Sequence, residues 1–201
     1  MEIHYNHIST KRVIVFSRKE SYNLENQKIV YISPSLQEWN VGVGNYGTEE
    51  ERMNQIADVV ERQLKAMGYD VRRNNPENTL AQTVRESNQI GPAVHVAIHS
   101  NASGPSTQGK GPEIYANRPN TSGDKLAQLI YNEIEKIYTN PEKGRGVIYT
   151  TSLYEVVKTL SPAVLLEVAF HDNEEDAKWI INNIENIGKA IAIGINNYFQ
   201  T

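Results

Sequence analysis

Glu49, Glu50 and Glu51 stand at the mouth of a helix-like segment, His95 and His99 alternate along "HVAIHSN", and Glu167 interrupts the apolar run "PAVLLEVAF". Carboxylates and imidazoles are the side chains that move protons near neutrality and bind divalent cations. Cysteine is absent, which excludes a thiol nucleophile, a thiolate metal site and a disulfide framework. Each group also has a plain structural explanation. Thr48 and Glu51 match a capping box, and acids in a first helical turn suit the helix dipole. That accounts for Glu51, which points away from the Met53/Ala57/Val60/Leu64 stripe. Glu49 and Glu50 flank the stripe and lean toward the protein body, so periodicity leaves two candidates for an inward carboxylate.

Period-2 alternation places His95, Ala97 and His99 on one strand face. Residues four apart on a strand are separated by roughly 13 Å, too far for His95 and His99 to share one ion. His99 falls at the C-terminal end, followed by Ser100 and Asn101, where open α/β sheets place their sites. His95 lies mid-strand and reads as a hydrogen-bonded structural histidine. Glu167 is the most demanding residue, because a carboxylate within an apolar strand is costly unless paired, hydrogen-bonded or metal-bound. Arg85 and Arg145 are available as partners. His171, just past the strand, either lines the same rim or caps the next helix. A helix-start Glu, a strand-end His and a buried Glu are compatible with a mononuclear zinc hydrolase, although two ligands are visible and three are expected.

The elements that must position these groups alternate from Lys28 onward. Val30–Ser33, "YDVRRN", "AVHVAIHSN", "GPEIYAN" and "SPAVLLEVAFHDN" read as strands, with a short extended piece inside "NPEKGRGVIYTTSLY". Helical spacing marks the segment from Met53 to Met67, "LAQTVRESNQI", "SGDKLAQLIYNEIEKIY" and two closing helices. This order predicts an α/β domain over residues 28–201, a mainly parallel twisted sheet of about six strands with helices on both faces. Residues 1–27 form an N-terminal extension.

The chain is 39% hydrophobic and 22% charged, enough for a full core. A net charge of -4 argues against nucleic acid as a partner. No apolar run reaches membrane-spanning length, and Val13–Phe16 is too short for a signal-peptide core.

The blocks "YISPS", "GTEEERMNQIADVVERQLKAMGYDV", "VAIHSNA", "GPEIY" and "PAVLLEVAFHDNEEDAKWI", in this order, resemble the zinc-dependent N-acetylmuramoyl-L-alanine amidases of the amidase-3 type. The resemblance covers about residues 28 to 198. It implies a hydrolase of bacterial peptidoglycan, acting as a monomer on the cell wall with one catalytic zinc ion. His99 matches a family zinc ligand, and Glu167 matches the catalytic carboxylate. Glu50, four residues before Asn54, matches the glutamate ligand. Arg85 matches a recurrent arginine of structural or substrate-contacting role, and with Asn101 and His171 it is a candidate substrate contact. Tyr46, Tyr115 and Tyr154 are candidate groove walls.

One motif departs from the pattern. The family's first histidine ligand aligns with Leu36 in "SPSLQ", which cannot bind zinc. The loop is similar to a clostridial and phage-lysin branch reading "SPS-x-Q", then "GNYGTEE". There the amide oxygen of Gln37 is the polar substitute, with Ser35, His171 or water as alternatives. An amidase lacking a signal peptide is expected to reach the wall as a phage lysin through a holin, or from the mother cell. Loss of one ligand also leaves open an inactive wall-binding relative, and a zinc peptidase of similar fold is a third reading.

Overall fold

The computed structural model describes residues 27–104 and 108–201, so the proposed extension 1–27 lies almost wholly outside the described residues. Six strands form one sheet: β1 (Ile29–Pro34), β2 (Asp70–Arg73), β3 (Val94–Asn101), β4 (Glu113–Ala116), β5 (Gly146–Tyr149) and β6 (Ala163–Phe170). Their order is β2-β1-β3-β6-β4-β5, and every pairing is parallel except β4 with β6. The helices are α1 (Glu49–Ala66), α2 (Leu80–Ile90), α3 (Ser122–Glu135), α4 (Tyr154–Lys158) and α5 (Glu174–Gln200). The α/β class and the six-stranded, mainly parallel sheet are as expected.

The two faces of the sheet are unequal. Val30, Ile32, Val96, Ile98, Leu166 and Val168 point into a large core with α1, α3 and α5, where Met53, Ile56, Val60, Ile130, Ile187 and Ile191 are fully buried. The opposite face has a small apolar patch of Ala97, Leu165 and Val156 beneath α4. The rest of that face is polar, because alternation turns Tyr31, Ser33, His95, His99 and Glu167 toward it.

Local chemistry explains the helix boundaries. Thr48 is extended and its side chain accepts from the Glu51 amide, so α1 begins at Glu49. A reciprocal Thr79/Gln82 capping box opens α2, and left-handed Gly91 closes it. The two closing helices are one element kinked at Asn183, whose side chain donates to the Trp179 carbonyl oxygen. The segment "NPEKGRGVIYTTSLY" contains β5, and at Tyr154 it runs into the short helix α4.

The chain leaves β1 toward β2 on one side and leaves β3 toward β4 on the other. A crevice therefore opens at the C-terminal ends of β1 and β3, the place where doubly wound sheets hold their ligands. The "SPSLQ" loop, the start of α1, and His99 all converge there.

Candidate active site and metal centre

Parallel pairing sets His99 of β3 directly beside Glu167 of β6, and antiparallel pairing sets Glu113 of β4 on the other side of Glu167. Three chemically active side chains thus follow from one register. The fourth comes from α1. The Glu49 amide donates to the Asn40 carbonyl oxygen at 2.8 Å, and a bridge between Val41 and Thr48 closes the loop, fixing the first helical residue over the strand end.

Glu49 is buried, with Oε1 2.9 Å from His99 Nδ1 and Oε2 2.6 Å from Asn40 Nδ2. The same Asn40 nitrogen donates to Gln37 Oε1 at 2.9 Å. Gln37 therefore presents its amide oxygen one residue away from the carboxylate. Of the two glutamates that periodicity left open, Glu49 reaches the histidine. Glu50 is half-exposed, and only its backbone oxygen, accepting from Asn54 Nδ2, is engaged by the Asn54 side chain. The structure thus sets Glu49, rather than the expected Glu50, against His99, one residue or about 100° round the helix.

Electrostatics follow from burial and pairing. A carboxylate can only accept, so Nδ1 of His99 carries the proton in this contact. Burial alone would lower the His99 pKa, but the Glu49 hydrogen bond and the charges of Glu167, Glu49 and Glu155 raise it to about 9. Burial would raise the Glu49 pKa, yet the hydrogen bond and charge of His99, with help from Asn40 and Ser35, hold it below the usual carboxylate range. Glu167 goes the other way. Desolvation pushes it up to about 8, opposed by His99 and reinforced by Glu49 and Glu113. Its Oε2 is sealed from solvent without a hydrogen-bond partner among the described residues. A buried carboxyl oxygen of this kind, on a group whose pKa is perturbed beside a histidine, makes Glu167 a candidate for proton transfer.

Among the described residues no arginine pairs with Glu167. Arg145 pairs with Glu113 instead, and Arg85 is exposed on α2. Asn101 flanks the site, but its amide donates to Glu113 Oε1 at 2.7 Å, as does the Tyr115 hydroxyl. His171 does not line the rim. It is buried on the core side, with Nδ1 2.9 Å from Ser100 Oγ and its ring against Tyr46. Tyr46 is likewise fully buried, its hydroxyl 2.7 Å from Ser100 Oγ, so neither serves as a groove wall. Ser100 explains both corrections, because it points to the face opposite His99. Tyr154 remains exposed at the start of α4.

His95 is a structural histidine, as read. It is fully buried, with Nδ1 2.9 Å from Ser87 Oγ and Nε2 2.8 Å from Glu155 Oε1, and it stacks on Tyr31. Sequence reasoning missed Glu155, Asn40 and Glu113. Glu113 was detectable by the argument used for Glu167, as an acid in a short apolar strand. Asn40 carried no signal.

Among the described residues no three His, Cys, Asp or Glu side chains gather around one point. The groups that could hold a metal ion here are the His99 imidazole and the Glu49 carboxylate, with the neutral oxygen of Gln37 linked to Glu49 through Asn40. Nitrogen and oxygen donors of this kind fit zinc, with two strong ligands and one weak one. Beside His99 lies a cleft of about 560 Å³ running past Gln37 and Trp39 to Leu80.

Residues 30–197 match the family of N-acetylmuramoyl-L-alanine amidases, Amidase_3, and the chain belongs to that family. Solved structures agree in fold. N-acetylmuramoyl-L-alanine amidase AmiC2 of Nostoc punctiforme is 23% identical with a TM-score of 0.78, covering 87% of this chain and 98% of its own. The catalytic domain of CwlV from Bacillus (Paenibacillus) polymyxa is 25% identical with a TM-score of 0.71, covering 87% and 99%. The catalytic domain of the CD27L endolysin, targeting Clostridia difficile, is 22% identical with a TM-score of 0.70, covering 85% and 98%. No curated protein matches the chain.

Proposed function

We propose that this protein hydrolyses the amide bond between the N-acetylmuramic acid lactyl group and the L-alanine of the peptidoglycan stem peptide. The observation that carries this reading is the contact of Glu49 with His99 beside the partnerless Glu167 oxygen, at the sheet crevice of an amidase-family chain. Glu49 and His99 would hold a zinc ion, with Gln37 as the neutral third donor. When bound, zinc supplies an acidified water and polarises the scissile carbonyl.

The chain's own residues do the rest. Glu167, in its ionised form and made a stronger base by desolvation, takes a proton from the attacking water and delivers it to the leaving amine of L-alanine. Asn40 steers both the Glu49 carboxylate and the Gln37 amide, so that their oxygens stay side by side. Glu113, Tyr115 and Asn101 form a fixed polar wall next to Glu167.

Analysis of purified cell walls after digestion tests the reaction. New N-terminal L-alanine groups without new reducing sugar ends are expected, and new amino groups on any other stem residue would make the protein a peptidase. For the donor set, Gln37→Ala should lower zinc content and lysis together. Unchanged values would remove Gln37 from the site. A second reading, a wall binder without turnover, is favoured by one observation: Leu36 stands at the family's usual histidine position. Zinc-loaded protein that binds walls and releases nothing would establish it.

A further inference from the structure

A muramoyl amidase must place a sugar on one side of its centre and a peptide on the other, and the two flanks of His99 and Glu167 differ in chemistry. On the β1–β2 side lies the 560 Å³ cleft, within the size range of small-ligand sites. Among the described residues none that line it is Lys or Arg, and its acid, Glu155, is tied to His95. Amide and hydroxyl side chains such as Gln37, Asn74 and Asn78 supply its polarity. Trp39, 70% exposed, and Leu80, 50% exposed, form an apolar edge. Thr83 also lines the cleft and is buried, and its Oγ1 has no hydrogen-bond partner among the described residues.

The opposite flank, across β6 and β4, is charged. Arg145 there is anchored by Glu113, lies 5.4 Å over the Phe170 ring and keeps 45% of its side chain exposed.

Stem peptides carry carboxylates, which a cleft without a cation leaves uncompensated. The glycan is neutral once its lactyl group is amidated. Its hydroxyl and acetamido groups match amide and hydroxyl partners, and its C–H faces suit an indole ring. We propose that the cleft on the β1–β2 side of His99 is the glycan subsite, with Trp39 as its stacking platform, and that the stem peptide extends across β6 toward Arg145. This assignment rests on the amidase reading for the identity of the substrate.

The test separates the two halves with ligands that cannot be hydrolysed. Calorimetric titration uses triacetylchitotriose, a neutral N-acetylglucosamine trimer, and the free peptide L-Ala-γ-D-Glu-L-Lys. Trp39→Ala should weaken trimer affinity about tenfold, the scale expected for losing one aromatic contact surface, and leave peptide affinity within twofold. Leu80→Ala should act in the same direction, and Arg145→Gln should weaken the peptide alone. Both Trp39 and Leu80 are exposed, so their truncation leaves the core intact. Unchanged trimer affinity in Trp39→Ala, or a loss confined to the peptide, overturns the assignment. A protein that cleaves walls yet gives that result keeps the amidase reading and loses the subsite. One that binds the trimer through Trp39 and cleaves nothing keeps the subsite and loses the amidase.

Discussion

Glu49 and Glu50 are neighbours with opposite fates: they lie about 100° apart on α1, and the Glu49 carboxylate meets His99 and Asn40. Glu49→Gln should therefore reduce zinc affinity by at least tenfold, whereas Glu50→Gln should leave it intact; equilibrium dialysis against zinc distinguishes them. The reverse result would return the role to Glu50. Helical periodicity narrowed the choice to these two but could not resolve it, because both flank the apolar stripe. The contact that decides lies in loop residues 40–48, which have no period. Glu167 was legible for the opposite reason: a charge in an apolar strand stands out wherever it occurs. Glu167→Gln should keep the metal and lower turnover by about 10²–10⁴-fold, the usual contribution of a general base.

The same residue predicts a pH dependence of the metal-free protein. An unfolded glutamate loses its proton near 4.5, whereas folded Glu167 keeps it to about 8. Between these values the folded state binds more protons, so stability falls as pH rises. His99 adds a second decline, from about 6.5 to about 9, as its stabilised imidazolium is lost. Thermal melts of chelator-treated protein at pH 5 and pH 8 should show Glu167→Gln gaining on the wild type at the higher pH. A constant gap would contradict the assigned shift.

The six strands and the longer helices were readable in the sequence, and the shortest helix was not. The apolar stripe and capping box of α1 and the long apolar run of β6, interrupted only at Glu167, each mark their element. Helix α4, five residues long, has too few turns to display a period. The kink at Asn183 separates two segments that read as two helices and form one. What no pattern revealed is how closely α5 packs. A Cβ on Gly194 would lie 2.5 Å from Ile130 Cα of α3, and one on Gly188 would lie 2.4 Å from Val59 Cβ of α1. Gly194→Ala should cost about 1–3 kcal/mol by overpacking despite its better helix propensity, measured by urea denaturation. Asp176, buried in the first turn of α5, accepts from the Tyr138 hydroxyl and from the Gly111 and Phe170 amides. Asp176→Ala should cost about 2–4 kcal/mol, since these donors are left unmet.

For the molecule as a whole, the division of labour between sheet faces is the organising feature. Three long helices seal the apolar face and carry the stability. Two short ones cover the polar face incompletely, which leaves His99, Glu167 and the Trp39 cleft open at the crevice. The alternation of strands and helices made this architecture legible. Which strand ends meet is a matter of strand order, which periodicity does not encode. Zinc added to metal-free protein should raise the melting temperature in proportion to the logarithm of its concentration. Glu49→Gln and His99→Ala should each flatten that response. The most direct measurement is an anomalous difference map at the zinc edge from zinc-soaked crystals. The account predicts one peak within coordinating distance, about 2.0–2.2 Å, of both His99 Nδ1 and a Glu49 oxygen. A peak on Glu50 or His171, or none at His99 in protein that still cleaves peptidoglycan, would contradict it.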